Sequence, residues 1–96
     1  MAGWNMRKLQ ILEYADEVGE VSSFDVAKAL NLEIHNARTL LLKYHRQGLL
    51  SRYTVDAYGT RLYEITGKGV ERIGWIRSRM EEASEARDLE EDAEED

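Results

Sequence analysis

Residues 34–66 decide the fold, and they read IHNARTLLLKYHRQGLLSRYTVDAYGTRLYEIT. In the first half of this stretch, apolar residues recur at the i, i+3, i+4 and i+7 spacing of one buried helix face, as Ala37, Leu40, Leu41 and Tyr44. The spacing predicts a helix over about residues 34–47. Gly48 follows directly, and glycine is the residue that most often ends a helix.

The second half of the stretch predicts a β-hairpin. Residues 49–55 and 60–66 are rich in β-branched and aromatic side chains, which favour strands. In the second of these segments, polar and apolar residues alternate as in a strand with one buried face. The four residues between the segments end in Gly59 and are typical of a turn, with Tyr58 at the tip.

Helices are predicted on both sides of this central stretch. The first runs from Asn5, a plausible N-cap, to Glu17, with Met6, Leu9, Leu12 and Ala15 facing the core and Ile11, Tyr14 and Val18 beside them. A short strand at residues 20–22 precedes a second helix, which Ser22 or Ser23 caps together with Asp25 and which Asn31 ends. The apolar positions of this second helix are Phe24, Val26, Ala27 and Leu30. A last helix begins near Gly67 or Lys68.

The net charge of −6 is unevenly distributed. Residues 81–96 hold ten acidic residues and one basic residue, a net of −9, whereas residues 1–80 hold twelve basic and nine acidic residues, a net of +3. We therefore predict one folded domain over residues 1–86 and an acidic tail over 87–96, disordered from about Asp88. The basic body suggests a polyanionic partner, and the tail either competes for that surface or only aids solubility.

Several classes of function find no support in the sequence. There is no cysteine, so disulfides and cysteine-ligated zinc are excluded. His35 and His45 lie about 15 Å apart along one helix, too far to share a metal ion. The segment Gly67-Lys68-Gly69 lacks the remaining residues of a phosphate-binding loop. No apolar run is long enough to cross a bilayer, and no signal region is visible at the N-terminus. We expect a cytoplasmic protein that is not an enzyme and uses neither cofactor nor metal.

The third helix carries the candidate site. Its face opposite the apolar stripe presents hydrogen-bonding and basic side chains, which suit a helix that enters a DNA groove. An ordinary solvated helix face is the alternative. Together with residues of the hairpin, the predicted DNA-binding set is His35, Asn36, Arg38, Thr39, Lys43, Arg46, Arg52, Tyr58 and Arg61.

Four segments resemble the small winged helix-turn-helix transcriptional regulators of the MarR and PadR type, including the compact forms found in archaea and their viruses. They are residues 11–14, 21–30, 36–50 and 63–69, and their order and spacing carry the likeness. The resemblance implies an α+β, mainly α fold, with a three-helix core, a hairpin wing and a C-terminal helix. The chain departs from the pattern at Glu33, where the family usually places Ser or Thr.

The resemblance implies a sequence-specific double-stranded DNA-binding regulator. Helix 34–47 would enter the major groove, and the wing, residues 51–65, would lie on the backbone or in the minor groove. The alternative is a winged helix used for protein–protein contact in transcription or replication machinery. The last helix also carries more apolar surface than a terminal helix needs. We predict a homodimer through this helix, with an interface formed by Val70, Ile73, Trp75, Ile76 and Met80. The alternative is that the same stripe packs on the first helix of its own chain.

Overall fold

Four helices surround a small three-stranded sheet. The structure, a computed structural model, describes the backbone of residues 3–55, 57 and 59–94 and the side chains of residues 6–55, 57 and 59–82. In chain order the elements are α1 (Gly3–Val18), β1 (Glu20–Val21), α2 (Ser23–Leu30), α3 (Ile34–Arg46), β2 (Leu50–Thr54), β3 (Arg61–Ile65) and α4 (Gly67–Glu94). The predicted α+β fold, with three core helices, a hairpin wing and a C-terminal helix, is confirmed.

Helix α1 passes through the middle of the core. Leu9, Ile11, Leu12 and Ala15 are all buried, as their spacing predicts. Met6 and Val18, expected on the same stripe, are exposed because they lie at the ends of the helix, beyond the elements that cover its centre. The helix begins at Gly3, so the prediction of Asn5 as its N-cap is wrong.

Helix α2 has the predicted caps. The Ser22 hydroxyl accepts a hydrogen bond from the Asp25 backbone N–H at 3.1 Å, and the Asp25 carboxylate accepts one from the Ser22 N–H at 3.0 Å. This capping box satisfies two backbone donors of the first turn. Asn31 ends the helix in the left-handed conformation, with φ of 57°.

Helix α3 buries Ala37, Leu41 and Tyr44, with Leu40 partly covered, which confirms the predicted face. Glu33 is its N-cap residue and makes no side-chain capping hydrogen bond. The helix is followed by Gly48, whose φ of 81° favours glycine.

The sheet has the order β1-β3-β2 and is antiparallel throughout. Arg52 is paired with Tyr63, and Thr54 with Arg61, on the face that packs on the helices. Ser51 and Glu64, which are paired with each other, lie on the other face. This register sets which charged side chains of the wing share a surface with α3, because neighbouring residues of a strand point to opposite faces.

Thr66 joins the sheet to α4. Its hydroxyl donates to the Gly48 carbonyl oxygen at 2.7 Å and accepts from the Gly69 N–H at 3.0 Å, while its own N–H donates to the Leu49 oxygen at 3.0 Å. One residue therefore caps α4 and ties it to the turn between α3 and β2.

Helix α4 packs on α1 through Ile73 and Ile76, which are both buried, and Arg77 forms an ion pair with Glu13 of α1. Its backbone is helical from Gly67 to Glu94. Residues 81–94 consist largely of strong helix formers and contain neither Gly nor Pro. The division into a domain of residues 1–86 and a tail of 87–96 stays a prediction.

Candidate nucleic-acid interface

The polar face of α3 is open to solvent. His35, Asn36, Arg38, Thr39, Lys43 and Arg46 are all exposed. The Thr39 hydroxyl donates to the His35 carbonyl oxygen at 3.0 Å within the helix, which leaves its lone pairs free to accept. This face is the surface that the sequence assigns to DNA.

A hollow of about 390 Å³ lies between α2, α3 and the wing. Three arginines from three separate elements line it: Arg38 of α3, Arg52 of β2 and Arg61 of β3. Ser22, Ser23, Phe24, Leu42, Gly59, Thr60 and Tyr63 complete the lining. The fold thus brings together three cations that are separated by up to 23 positions in the sequence.

A second, shallower hollow of about 490 Å³ continues along α3. Thr39, Lys43, Arg46 and Gln47 line it, and Leu42 belongs to both hollows. The five basic residues predicted to contact DNA therefore lie along two adjoining hollows on one side of the molecule. In the part of the chain that the structure describes, the ion pairs are Arg77–Glu13 and Arg79–Glu82, so none of the five is neutralised by a carboxylate.

The described acidic residues of the sheet lie on its other face. Glu64 and its cross-strand partner Glu20 are on the outer face of the sheet, away from Arg52 and Arg61. There a hydrogen bond with the Glu20 carboxylate, with smaller contributions from desolvation and from the negative charges of Glu20 and Glu64, raises the pKa of Tyr53 to about 12. Glu33 remains exposed at the start of α3, and Asp56 lies outside the described residues.

Phe24 lies at this interface although the sequence places it in the core. Its side chain is 66% exposed, and Arg38 Cζ lies over its ring, 5.8 Å from the centroid. The expectation failed because only Val26 of this eight-residue helix is fully buried, while the first turn projects past the core. The proximity of Phe24 to an arginine of another helix leaves no signal in the sequence.

Lys8 is a second residue that sequence reasoning missed. It is only 6% exposed, its Nζ donates to Gln47 Oε1 at 3.2 Å, and it lies over the Tyr44 ring at 5.5 Å. Burial lowers the pKa of Lys8, and the positive charges of Arg72 and Lys43 lower it further. Lys8 thereby joins α1 to the C-terminal end of α3, where Lys43 and Arg46 are presented.

The remaining predicted site residues have different environments. Tyr58 lies outside the described residues. Of the predicted dimer residues, Ile73 and Ile76 are buried within their own chain, and Met80 is partly covered by the same core. For these three, packing on the chain's own core accounts for the apolar stripe. Val70 and Trp75 are 48% and 52% exposed, and Arg72 and Arg79 lie over the Trp75 ring.

The histidines have separate roles. His45 Nδ1 is 2.9 Å from the Leu50 carbonyl oxygen, and its ring meets the Tyr63 ring edge-on, so it supports the junction of α3 with the sheet. His35 is exposed on α3. Among the residues that the structure describes, no group of three or more potential metal ligands lies close enough to hold an ion. No described helix combines the length and the apolar character needed to span a membrane.

The order of the elements defines a winged helix-turn-helix protein. A helix and a short strand are followed by two helices, a hairpin and a final helix. By its position in this fold, α3 corresponds to the helix that such proteins use for recognition, and the β2–β3 hairpin corresponds to the wing. Solved structures confirm the fold. MepR of Staphylococcus aureus, a transcription regulator of the multidrug efflux pump MepA, is 26% identical, with a TM-score of 0.67 over 83% of this chain and 60% of that one.

Two further solved structures show the same fold. The transcriptional regulator BldR of Sulfolobus solfataricus is 19% identical, with a TM-score of 0.69 over 93% of this chain and 63% of that one. A MepR–DNA complex from S. aureus is 23% identical, with a TM-score of 0.64 over 90% and 72% of the two chains. The resemblance to MarR-type winged-helix regulators is thus confirmed in structure. The chain spans about 60% of the length of MepR. No family model and no curated protein matches the sequence.

Proposed function

We propose that this protein is a sequence-specific, double-stranded DNA-binding transcriptional regulator and not an enzyme, acting in the cytoplasm without cofactor or metal. The observation that carries the proposal is the convergence of five basic side chains from α3, β2 and β3 on one face, none of them in an ion pair with a described residue. The fold neighbours support it, since MepR and BldR are transcription regulators and a MepR–DNA complex is known.

In this proposal α3 enters the major groove. Asn36 would pair with adenine and Arg38 with guanine, because their planar polar groups match the hydrogen-bonding edges of those bases. Phosphates would be held by Thr39, Lys43 and Arg46, with His35 at the start of the helix. Arg52, Arg61 and Tyr58 would place the wing along the backbone or in the minor groove.

A protein–protein module is the second candidate function, and the modest net charge of +3 over residues 1–80 favours it. An acidic partner would use the same arginines without any dependence on base sequence. The location of Glu20 and Glu64 on the outer face favours DNA, because neither of these described carboxylates lies on the face that carries Arg52 and Arg61.

A mobility-shift titration on mixed-sequence duplex DNA at two salt concentrations tests the proposal. Each phosphate contact contributes about 0.9 to the slope of log affinity against log salt. We expect Lys43→Ala to reduce that slope by about 1, whereas the control Arg77→Ala removes an equal charge from α4, outside the proposed DNA-binding and dimer residues, and leaves the slope unchanged. Weak binding that is insensitive to salt in all three proteins would favour the protein–protein module.

The exposed apolar part of α4 leads to a prediction about assembly. Val70 and Trp75 lie on the side of the helix that the chain's own core does not cover, and we propose that they form the centre of a homodimer interface. Two recognition helices about 34 Å apart would then match one turn of DNA. Sedimentation at micromolar concentration is expected to give twice the 11.1 kDa of one chain.

The matched variants for this prediction are Trp75→Glu and Tyr53→Ser. The first introduces a charge at the proposed interface and should give monomers, whereas the second changes an exposed aromatic residue on the outer face of the sheet and should not. An 11.1 kDa species for the unaltered chain would contradict the homodimer.

The acidic C-terminal segment leads to a further prediction. Residues 87–96 hold seven acidic residues and one basic residue, and this negative charge opposes the approach of the body to DNA. Truncation after Ala86 should tighten binding to any duplex, most clearly at low salt, where screening is weakest. The free energy of unfolding should hardly change, because the residues of α4 that pack on the core, Ile73, Ile76 and Met80, all precede the truncation point.

Fluorescence anisotropy across a salt series measures this effect. A full-length variant with all seven acidic residues of 87–96 changed to the corresponding amides separates charge from length, and it should bind about as the truncated form does. If the segment only aids solubility, neither form will change affinity at any salt concentration. Loss of binding to a protein partner, with DNA affinity unaltered, would identify the segment as a docking element.

A further inference from the structure

We propose that Phe24 is a positioning residue that holds Arg38 in the orientation from which it reads a base. This inference rests on the proposed DNA-binding function, and it assigns a role to the most exposed large apolar side chain described. Phe24 belongs to α2, whereas Arg38 belongs to α3, so the contact joins the two helices of the helix-turn-helix at the surface.

The exposure of Phe24 points to a use outside the core. At 66% exposed, the ring gains little from burial in its own chain. It lines the same hollow as Arg38, Arg52 and Arg61, and Arg38 Cζ lies over it at 5.8 Å. A guanidinium within about 6 Å of a ring centroid is attracted to the ring face.

This kind of contact restrains an arginine without occupying its donors. A carboxylate partner would accept the guanidinium N–H groups, the same groups that a guanine edge requires. Asp25, the residue next to Phe24 on α2, is already engaged with the Ser22 backbone N–H in the capping box, and Glu33, five positions before Arg38, forms no ion pair with it. Within the described residues Arg38 has an aromatic partner and no ion pair, so its donors remain available for a base.

The energetic consequence is preorganisation. A free arginine loses rotamer freedom when it binds, and part of that loss is avoided if the side chain is already restrained. A restrained guanidinium also discriminates more sharply, because it cannot shift to follow a mismatched base. Removal of the ring should therefore affect discrimination between base pairs more than binding to phosphates.

Selection from a random-sequence duplex pool with the unaltered protein supplies the probe, together with its single-base variants. In Phe24→Leu we expect the ratio of affinities for the selected duplex and for the duplex altered at the Arg38 position to fall roughly 2- to 10-fold. Phe24→Tyr retains the ring and should retain the ratio. Tyr53→Leu, on the outer face of the sheet, serves as the control.

Two comparisons separate this role from others. In an Arg38→Ala background, Phe24→Leu should cause no further loss of discrimination; an equal loss in both backgrounds would mean that Phe24 contacts DNA itself and would overturn the proposal. In the free protein, the NMR signal of the Arg38 Nε–H group should shift in Phe24→Leu and stay in place in Phe24→Tyr. An unchanged signal in Phe24→Leu would also overturn it.

Failure of the proposed function gives a different result. If the unaltered protein enriches no duplex, sequence-specific binding is wrong, and the base-reading role of Phe24 is wrong with it, whatever the NMR signal shows. If a duplex is enriched and Phe24→Leu discriminates as well as the unaltered protein, only the role of Phe24 is overturned.

Discussion

Gly69→Ala is expected to lower the free energy of unfolding by roughly 2–3 kcal/mol, in the range for overpacking a well-ordered core. A Cβ atom at this position would lie 2.3 Å from the Leu49 carbonyl oxygen and 2.6 Å from Ile65 Cγ1. Leu49 is completely buried, and its carbonyl oxygen accepts the Thr66 N–H, so the backbone cannot move aside cheaply.

Gly74→Ala is the matched control in the same helix. Nothing lies within 4 Å of a Cβ atom built there, so the substitution should stabilise the protein by about 0.5–1 kcal/mol through helix propensity alone. Urea denaturation at one fixed protein concentration compares the two, since the stability of an oligomer depends on concentration. Equal midpoints for the two variants would show that α4 does not approach Leu49 this closely.

Gly69 also illustrates what the sequence could not predict. The segment 67–69 is visible in the sequence as a glycine-rich helix start, but the requirement for glycine comes from the approach of Leu49, twenty positions earlier. The burial of Lys8 and the exposure of Phe24 depend in the same way on neighbours brought in by the tertiary fold. Periodicity describes one helix at a time and contains no information about these contacts.

Sequence patterns were sufficient to predict the features that depend only on residues close together in the sequence. The capping box of α2, the left-handed Asn31 and the buried face of α3 all follow from residues within a few positions of one another. The convergence of Arg38 with Arg52 and Arg61 could be predicted from the sequence only in part. Strand alternation predicts that Arg61 shares a face with Tyr63, but the pairing of Arg52 with Tyr63 requires the register. A slip of one residue would turn Arg52 to the outer face, beside Glu64.

Arg38→Ala is expected to weaken binding to a selected duplex by about 1–3 kcal/mol and to relax base preference at a single position. Arg38 is exposed on α3, lies between the polar face of that helix and the wing arginines, and is the residue whose planar donors match guanine. Binding to mixed-sequence DNA should fall much less, because that binding depends on the total charge that faces the phosphates.

Two variants sharpen this prediction. Arg38→Lys retains the charge but loses the bidentate fork, so it should restore affinity for mixed-sequence DNA and leave the base preference relaxed. Arg46→Ala removes a cation from the same helix at a proposed phosphate contact, so it should weaken specific and mixed-sequence binding by similar factors.

Anisotropy titrations of the four proteins on the selected and mixed duplexes provide the comparison. Equal losses on both duplexes for Arg38→Ala would make Arg38 a phosphate contact, and no loss on either would remove it from the interface. The base-reading role of α3 would then have to be tested at Asn36, which is exposed two positions earlier on the same helix.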